Sequence, residues 1–172
     1  MIFVTIGTSK PFDRLLRALT ELDLPAGEEL VVQCGDSVVR PVRARCVGFL
    51  PFSELVDHVR HARLVIAHAG AGTVIAAVSL GVKPVVVPRL ARFGEAADDH
   101  QVDFARHLSD AGLVTLVEDP SELSAAVAGS EDGRLVAVSA GGGALAADVR
   151  DYLRQVVNGV SLPVNVPPER RG

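Results

Sequence analysis

Six short apolar runs alternate with segments of helical spacing, and this alternation constrains the chain more than any other feature. IFVTI at residues 2–6 is β-branched and aromatic, and reads as a buried strand. ELVVQC at 29–34 reads the same way, as do the runs at 43–47, 64–67, 84–88 and 113–117. Helical spacing fills the gaps. Residues 12–22 place Leu15, Leu16, Leu19 and Leu22 on one face. Ser53 is the expected N-cap of a helix carrying Leu55, Val56 and Val59. A helix over 71–80 is expected to stop at Gly81. After the polar loop RLARFGEAADD, Val102, Ala105 and Leu108 share a face. Asp119 or Ser121 caps a short helix at 122–128, and a last helix over 144–157 presents Leu145, Val149, Leu153 and Val156. Such alternation predicts an α/β fold, a doubly wound and mostly parallel sheet with helices on both faces and right-handed crossovers.

No internal repeat or linker divides the chain. Residues 1–158 are expected to form a single α/β domain, with Gly141, Gly142 and Gly143 as a loop before the last helix. The tail at 159–172 contains Pro163, Pro167 and Pro168 and reads as an arm or a disordered end. The core must be built from Val, Leu, Ala and Ile, because 48% of the 172 residues are hydrophobic and only 4% aromatic. A formal net charge of -4, with no basic stripe, excludes a general nucleic-acid binder. Cys34 and Cys46 each fall in a strand-like run, so both are expected as buried small hydrophobes in a reducing cytosol. MIFVTIGTS has no basic region and too short an apolar run for a signal peptide. The apolar stretch 64–88 is broken by His68, two glycines and Lys83-Pro84, so no membrane-spanning helix is expected.

Candidate ligand contacts lie after the strands, where open α/β sheets bind. Gly7, Thr8 and Ser9 follow the first strand. His68, Ala69, Gly70, Ala71, Gly72 and Thr73 follow the fourth. Both are small-residue turns entering helices, so backbone N–H groups and a helix N-terminus could cradle a phosphate there. Either turn alone is weak evidence, and His68 alone reads as a satisfied core histidine. Its position just before Gly70 turns it toward a ligand. Asp98, Asp99, His100 and Gln101 precede the helix after the fifth strand. Asp99 and Gln101 are able to accept from sugar hydroxyls, although by itself the segment reads as an acidic helix start.

Other chemistries fit poorly. His58 and His61 stand three apart on a helix without a third ligand, so no metal site is predicted. There is no Gly-x-Ser-x-Gly elbow and no phosphate-loop lysine. Gly70-Ala71-Gly72 begins a dinucleotide fingerprint, but Ile75 occupies the place of its third glycine. The next strand ends in Pro88-Arg89 rather than in an acidic residue for a ribose.

Four stretches taken in order are far more specific: FVTIGTSKPFDRL, VGFLPFSEL, HAGAGTVIAAVSLGVKPVVVPR and FGEAADDHQVDFARHL. Together they resemble the C-terminal, donor-binding domain of glycosyltransferase family 28, over nearly all of the chain to about Val117. The likeness is to its small stand-alone members. These are similar to the catalytic subunit of the two-part N-acetylglucosaminyltransferase of dolichol-linked oligosaccharide synthesis, with bacterial counterparts in exopolysaccharide assembly. The resemblance implies the C-terminal half of a GT-B fold and a nucleotide-diphosphate sugar donor, usually uridine-linked. No cofactor is expected. No metal is expected either, because helix dipoles and N–H groups can meet the diphosphate charge, and the sequence shows no carboxylate pair typical of a metal-bound nucleotide sugar. The resemblance implies that Gly7 and Thr8, with Ser9, approach the diphosphate and acceptor side. It implies that the backbone of Phe49 and Leu50 meets the uracil. His68, Gly70, Ala71, Gly72 and Thr73 match the diphosphate turn, with His68 donating to the diphosphate or the sugar as the catalytic residue. Asp99, His100 and Gln101 match the segment that reads the sugar.

One departure stands out. The family commonly carries a glutamate four residues into the helix after the Gly-x-Gly-Thr turn, where it accepts from the ribose. Ala76 stands there, and Val82 is an extra residue before Lys83-Pro84. Losing such an acceptor weakens binding by roughly 1.5–3 kcal/mol. A transferase of this kind needs two sheets facing a cleft, so the acceptor and the general base are expected from a membrane-associated partner subunit. That partner would recruit a cytoplasmic chain to the inner membrane face. Self-association stays open. The alternative is a non-catalytic paralogue that keeps the fold and partner surface but not the sugar nucleotide. A sugar-nucleotide epimerase shares the fold type but normally carries both domains in one chain.

Overall fold

The computed structural model describes residues 1–130 and 133–135; the expected helix at 144–157, the triple glycine and the tail lie outside them. Among the described residues six parallel strands form one sheet. They are β1 (Ile2–Thr5), β2 (Leu30–Gln33), β3 (Ala44–Val47), β4 (Leu64–His68), β5 (Val85–Val87) and β6 (Thr115–Leu116), in the spatial order β3-β2-β1-β4-β5-β6. Register places Val4 between Val32 and Ile66, and Thr5 between Gln33 and Ala67. The inner strands β1, β2, β4 and β5 are buried at every position, as strands covered on both faces must be. The edge strands β3 and β6 are only partly buried.

Among the described residues five α-helices cover this sheet: α1 (Asp13–Thr20), α2 (Phe52–His61), α3 (Ala71–Ser79), α4 (His100–Asp110) and α5 (Leu123–Ala128). Successive side chains of β1 point to opposite faces, and the core divides accordingly. Ile2, Val4 and Ile6 pack with Leu15, Leu16 and Leu19 of α1 and Leu123 of α5. Phe3 packs with Leu55 and Val59 of α2 and Ala77 of α3. The sheet is therefore wound on both faces, as the alternation predicted. Between β1 and β4 the winding reverses. The loop after β1 leads to a helix on one face, and the loop after β4 leads to a helix on the other. This is the switch point, where such sheets leave a crevice at the carboxyl ends of the strands.

Several boundaries differ from expectation. Strands β2, β5 and β6 are shorter than their apolar runs. Pro84 and Pro88 frame β5 because proline cannot donate to a ladder. Beyond β6, Val117 still donates to Val86 at 2.9 Å. Helix α1 begins at Asp13, and the N–H of Phe12 is taken by Ser37 Oγ at 2.9 Å. Ser53 is not the cap of α2. The helix starts at Phe52 directly after the extended Pro51, whose carbonyl accepts from Leu55 at 3.0 Å. Asp119 Oδ1 accepts from the N–H of Ser121 at 3.0 Å, and the 3-10 turn Pro120–Glu122 leads into α5. Gly81 ends the third helix as expected, at a φ of 72°. Val82 donates to Ala77 at 3.0 Å and is buried in the α2–α3 cluster, so the extra residue fills core. Cys34 is buried as expected, but Cys46 on edge strand β3 is only partly covered.

Candidate functional site

His68 closes β4 rather than opening the turn: it pairs with Val87 in the ladder. Its ring lies in the switch point between two glycines. A Cβ added at Gly7 would lie 2.6 Å from His68 Cε1, and one added at Gly70 would overlap Nε2 of the same ring. Gly7 also needs its φ of 73° to leave β1, which only glycine adopts freely. The two glycine turns therefore meet across one imidazole.

Burial, then the charge of Arg89, lowers the His68 pKa to about 4, with the Thr5 carbonyl opposing weakly. The imidazole is neutral at pH 7. Its Nδ1 is buried, and among the described residues the Thr5 carbonyl that acts on the ring does not reach it in hydrogen-bond geometry.

Helix α3 begins directly after Gly70 and has no side-chain cap and no acidic residue in its first turn. Val74 is the first amide of the helix to reach a carbonyl, that of Gly70 at 3.1 Å. Among the described residues the N–H groups of Ala71, Gly72 and Thr73 have no recorded partner, so the positive end of the helix is open. A Cβ at Gly72 would meet nothing within 4 Å. No packing demand explains that glycine, whereas close approach of a ligand would.

The turn after β1 is tied from below. Thr5 Oγ1 donates to Gln33 Oε1 at 2.5 Å and accepts from the N–H of Gly7 at 3.4 Å. Thr8 and Ser9 are exposed at the rim. Behind β5, both oxygens of the buried Glu95 accept from Arg14 at 2.9 Å, and one also accepts from the N–H of Leu90 at 3.0 Å. Arg14 further donates to the Pro88 carbonyl at 3.0 Å. A cleft of about 540 Å3 opens here, lined by Lys10, Arg14, Arg17, Phe93 and Glu95. A larger cleft of about 610 Å3 lies at the amino edge, beside Leu24, Glu28 and Val127. It lies at the opposite end of the strands from the switch point.

The segment expected to read a sugar is partly engaged already. Asp99 Oδ1 accepts from the N–H of Ala91 at 2.9 Å, and Gln101 Oε1 accepts from the N–H of Arg89 at 3.1 Å. One acceptor position of Gln101 is therefore engaged within the chain. His100 is exposed and contacts Asp98 at 2.6 Å. Phe49 is 73% exposed on the β3–α2 loop, and Leu50 is buried at 8% against the α2 cluster. That loop lies on the same carboxyl edge. Ala76, partly exposed in α3, stands one turn beyond Gly72. His58 stacks on Phe3 with ring centroids 4.9 Å apart, and among the described residues no three potential ligands are placed to hold a metal ion.

The sequence reading missed the polar groups underneath: Thr5, Gln33, Arg14, Glu95 and above all Arg89. Their one available signal was polar residues inside or directly after buried strands, as Thr5, Gln33 and Arg89 are.

Fold and crevice together define a Rossmann-like α/β half-sheet with two glycine turns at the switch point. The chain belongs to a known group of that kind: the glycosyltransferase family 28 C-terminal domain matches residues 1–142. The UDP-N-acetylglucosamine–N-acetylmuramyl-(pentapeptide) pyrophosphoryl-undecaprenol N-acetylglucosamine transferase of Acinetobacter baylyi is 33% identical over 123 residues. That match covers 66% of this chain and 32% of the relative. The UDP-N-acetylglucosamine transferase subunit ALG13 of Yarrowia lipolytica is 29% identical over 122 residues, covering 63% of this chain and 60% of the subunit. Among solved structures, Acinetobacter baumannii MurG superposes with a TM-score of 0.53 at 25% identity, over 74% of this chain and 40% of MurG. The Streptomyces nogalater glycosyltransferase SnogD shares the fold, with a TM-score of 0.58 at 22% identity over 90% of this chain and 39% of SnogD. This chain thus spans about a third of the first curated relatives it matches. Among the described residues no helix is long and apolar enough to cross a membrane.

Proposed function

We propose that this chain is the donor-binding subunit of a two-component glycosyltransferase. It holds a nucleotide-diphosphate sugar, with uridine as the base, while a partner subunit holds the acceptor. The observation that carries this reading is the open N-terminus of α3 at Gly70, Ala71, Gly72 and Thr73, set against His68 at the switch point. Three uncommitted N–H groups and the helix dipole stabilise negative charge, which builds on a diphosphate as the glycosidic bond to it breaks. His68 enters as a neutral imidazole, so it serves as a hydrogen-bond partner to the diphosphate rather than as a cation. Amide donors of Gln101 and the exposed rim at Thr8, Ser9 and His100 face the sugar and acceptor side. Phe49 and Leu50 meet the base through their backbone. Family membership and the likeness to ALG13, named as a transferase subunit, support the two-part arrangement.

The partner supplies the general base and the acceptor, and brings the chain to the cytoplasmic face of a membrane. Purified chain is incubated with membranes of the organism that encodes it and with UDP-N-acetylglucosamine, UDP-glucose or UDP-glucuronate carrying a 14C-labelled sugar. Label passing into lipid or polymer only when the chain is present supports the reading and identifies the sugar. Transfer by membranes alone, unchanged on adding the chain, contradicts it. Ala76, in place of a carboxylate that would grip the ribose, favours a second reading: a non-catalytic paralogue with weakened nucleotide binding.

A further inference from the structure

Arg89 is the largest fully buried side chain among the described residues, with 1% of its surface exposed. Among those residues no carboxylate lies within ion-pair distance of it. The Glu95 carboxylate is already taken on both oxygens by Arg14. Arg14 and Glu95 pair with each other, so Glu95 favours the Arg89 charge only through its field, and burial outweighs it.

Its hydrogen bonds all run to the neighbouring turns. Nη2 donates to the carbonyls of Ile6 and Lys10, both at 2.5 Å, and so grips the two ends of the β1–α1 turn. Nη1 reaches Ser9 Oγ at 3.5 Å and the Glu95 carbonyl at 3.4 Å. Its own backbone N–H is held by Gln101. The guanidinium carbon stands 5.4 Å from the ring centre of Phe12, which fixes it from the side. One residue at the end of β5 thereby joins the Gly7 turn to the segment that carries Gln101: its guanidinium holds the turn, and its backbone N–H holds Gln101. Removing a guanidinium from water without a carboxylate is costly, and neutral carbonyls offset only part of that cost. An anion in the crevice above offsets more. His68 beside it is neutral, partly because of this same charge, so Arg89 is the buried cation of the switch point.

We infer that Arg89 is the positioning residue of the donor turn: it sets the backbone of residues 6–10 and supplies, from beneath, positive charge that favours an anionic diphosphate. Its second half rests on the donor reading above. Arg89 need not touch the ligand; it acts through the turn and through its field.

Two substitutions separate this from a purely structural role. Arg89→Met keeps much of the volume and removes the charge. Arg89→Lys keeps the charge but cannot bridge Ile6, Ser9 and Lys10 together. Two readouts are taken: the backbone amide signals of residues 7–10 in the ligand-free chain, with Gln101 as a reference, and the ratio of affinities for UDP and uridine. Loss of folded protein lowers both affinities equally and leaves the ratio unchanged. Both variants are expected to shift the turn amides, while those of β3 and of Gln101, which is held by the backbone N–H of residue 89, stay in place. Arg89→Met is expected to lower the UDP-to-uridine ratio at least tenfold, and Arg89→Lys by less than threefold. Turn amides unchanged in either variant overturn the positioning role. A native ratio in folded Arg89→Met overturns the role of the charge. If Arg89→Met does not fold, Arg89→Lys decides: shifted amides with a kept ratio support the inference, and a collapsed ratio contradicts it. If the native chain binds neither UDP nor uridine, the donor reading falls and the charge role with it, while the amide signals still decide the positioning role.

Discussion

The imidazole of His68 occupies the space where a side chain on Gly70 would stand. Gly70 has an ordinary backbone conformation, with φ of −83°, so its glycine is required by the ring and not by the chain path. Gly72, two residues on, has open space around its Cα. The two glycines of one turn thus exist for different reasons. Gly70→Ala forces the ring or the turn to move and is expected to cost about 1–3 kcal/mol of stability, as overpacking does. Gly72→Ala is expected to leave stability unchanged or raise it by up to about 1 kcal/mol through helix propensity. Urea unfolding of the two variants beside the native chain checks the contrast.

The buried histidine also makes stability depend on pH. Its folded pKa of about 4 lies below its usual value because burial and Arg89 disfavour the charged form. The unfolded chain therefore takes up the proton first. Stability is full above about pH 6.5 and falls as pH drops from there toward about 4. The loss over that window is about 3 kcal/mol at most. His68→Gln is expected to abolish this part of the slope. Denaturant midpoints at pH 7 and pH 5, for both chains, test it.

The fold was legible because burial on both faces makes inner strands read as unbroken Val, Ile and Leu runs, and helices between them fix a parallel sheet. The glycine turns were legible for the same reason: their place after a strand is itself the signal. Element ends were less so. Ser53 has the right chemistry for a cap, but Pro51 starts α2 earlier. The support beneath the site was hidden because it depends on pairs far apart in sequence. Thr5 meets Gln33, and Arg14 meets Glu95. Asp99 and Gln101 looked free for a ligand, yet each has an oxygen bound to a backbone N–H of the β5–α4 loop.

Glu95 anchors that loop. Its carboxylate accepts from Arg14 and from the N–H of Leu90, and only 9% of its side chain is exposed. Glu95→Ala leaves a partly buried guanidinium and a buried N–H without their acceptor. The expected loss is about 2–4 kcal/mol, below the full cost of a wholly buried pair because Arg14 keeps some contact with water. Limited proteolysis should show faster cleavage between residues 90 and 99. A variant as stable and as protected as the native chain would contradict this.

Ala76 stands one helical turn beyond Gly72 and is partly exposed, so a longer side chain has room to reach solvent. Ala76→Glu is expected to fold normally and to tighten UDP binding by about tenfold or more, the worth of a charge-assisted hydrogen bond to a ribose. The same substitution should leave binding of inorganic diphosphate no tighter. Equal effects on both ligands would place the new carboxylate away from the ribose.

The measurement that tests the central claim most directly is a calorimetric titration of the native chain and Gly72→Asp with UDP, each beside its thermal unfolding midpoint. A carboxylate in the first turn of α3 is favourable to the helix by about 0.3–1 kcal/mol and repels a diphosphate at the same amides. The account predicts saturable binding by the native chain, lost in Gly72→Asp, with a midpoint unchanged or raised. No saturable binding by the native chain, or equal affinity in a folded Gly72→Asp, would contradict a diphosphate at this turn.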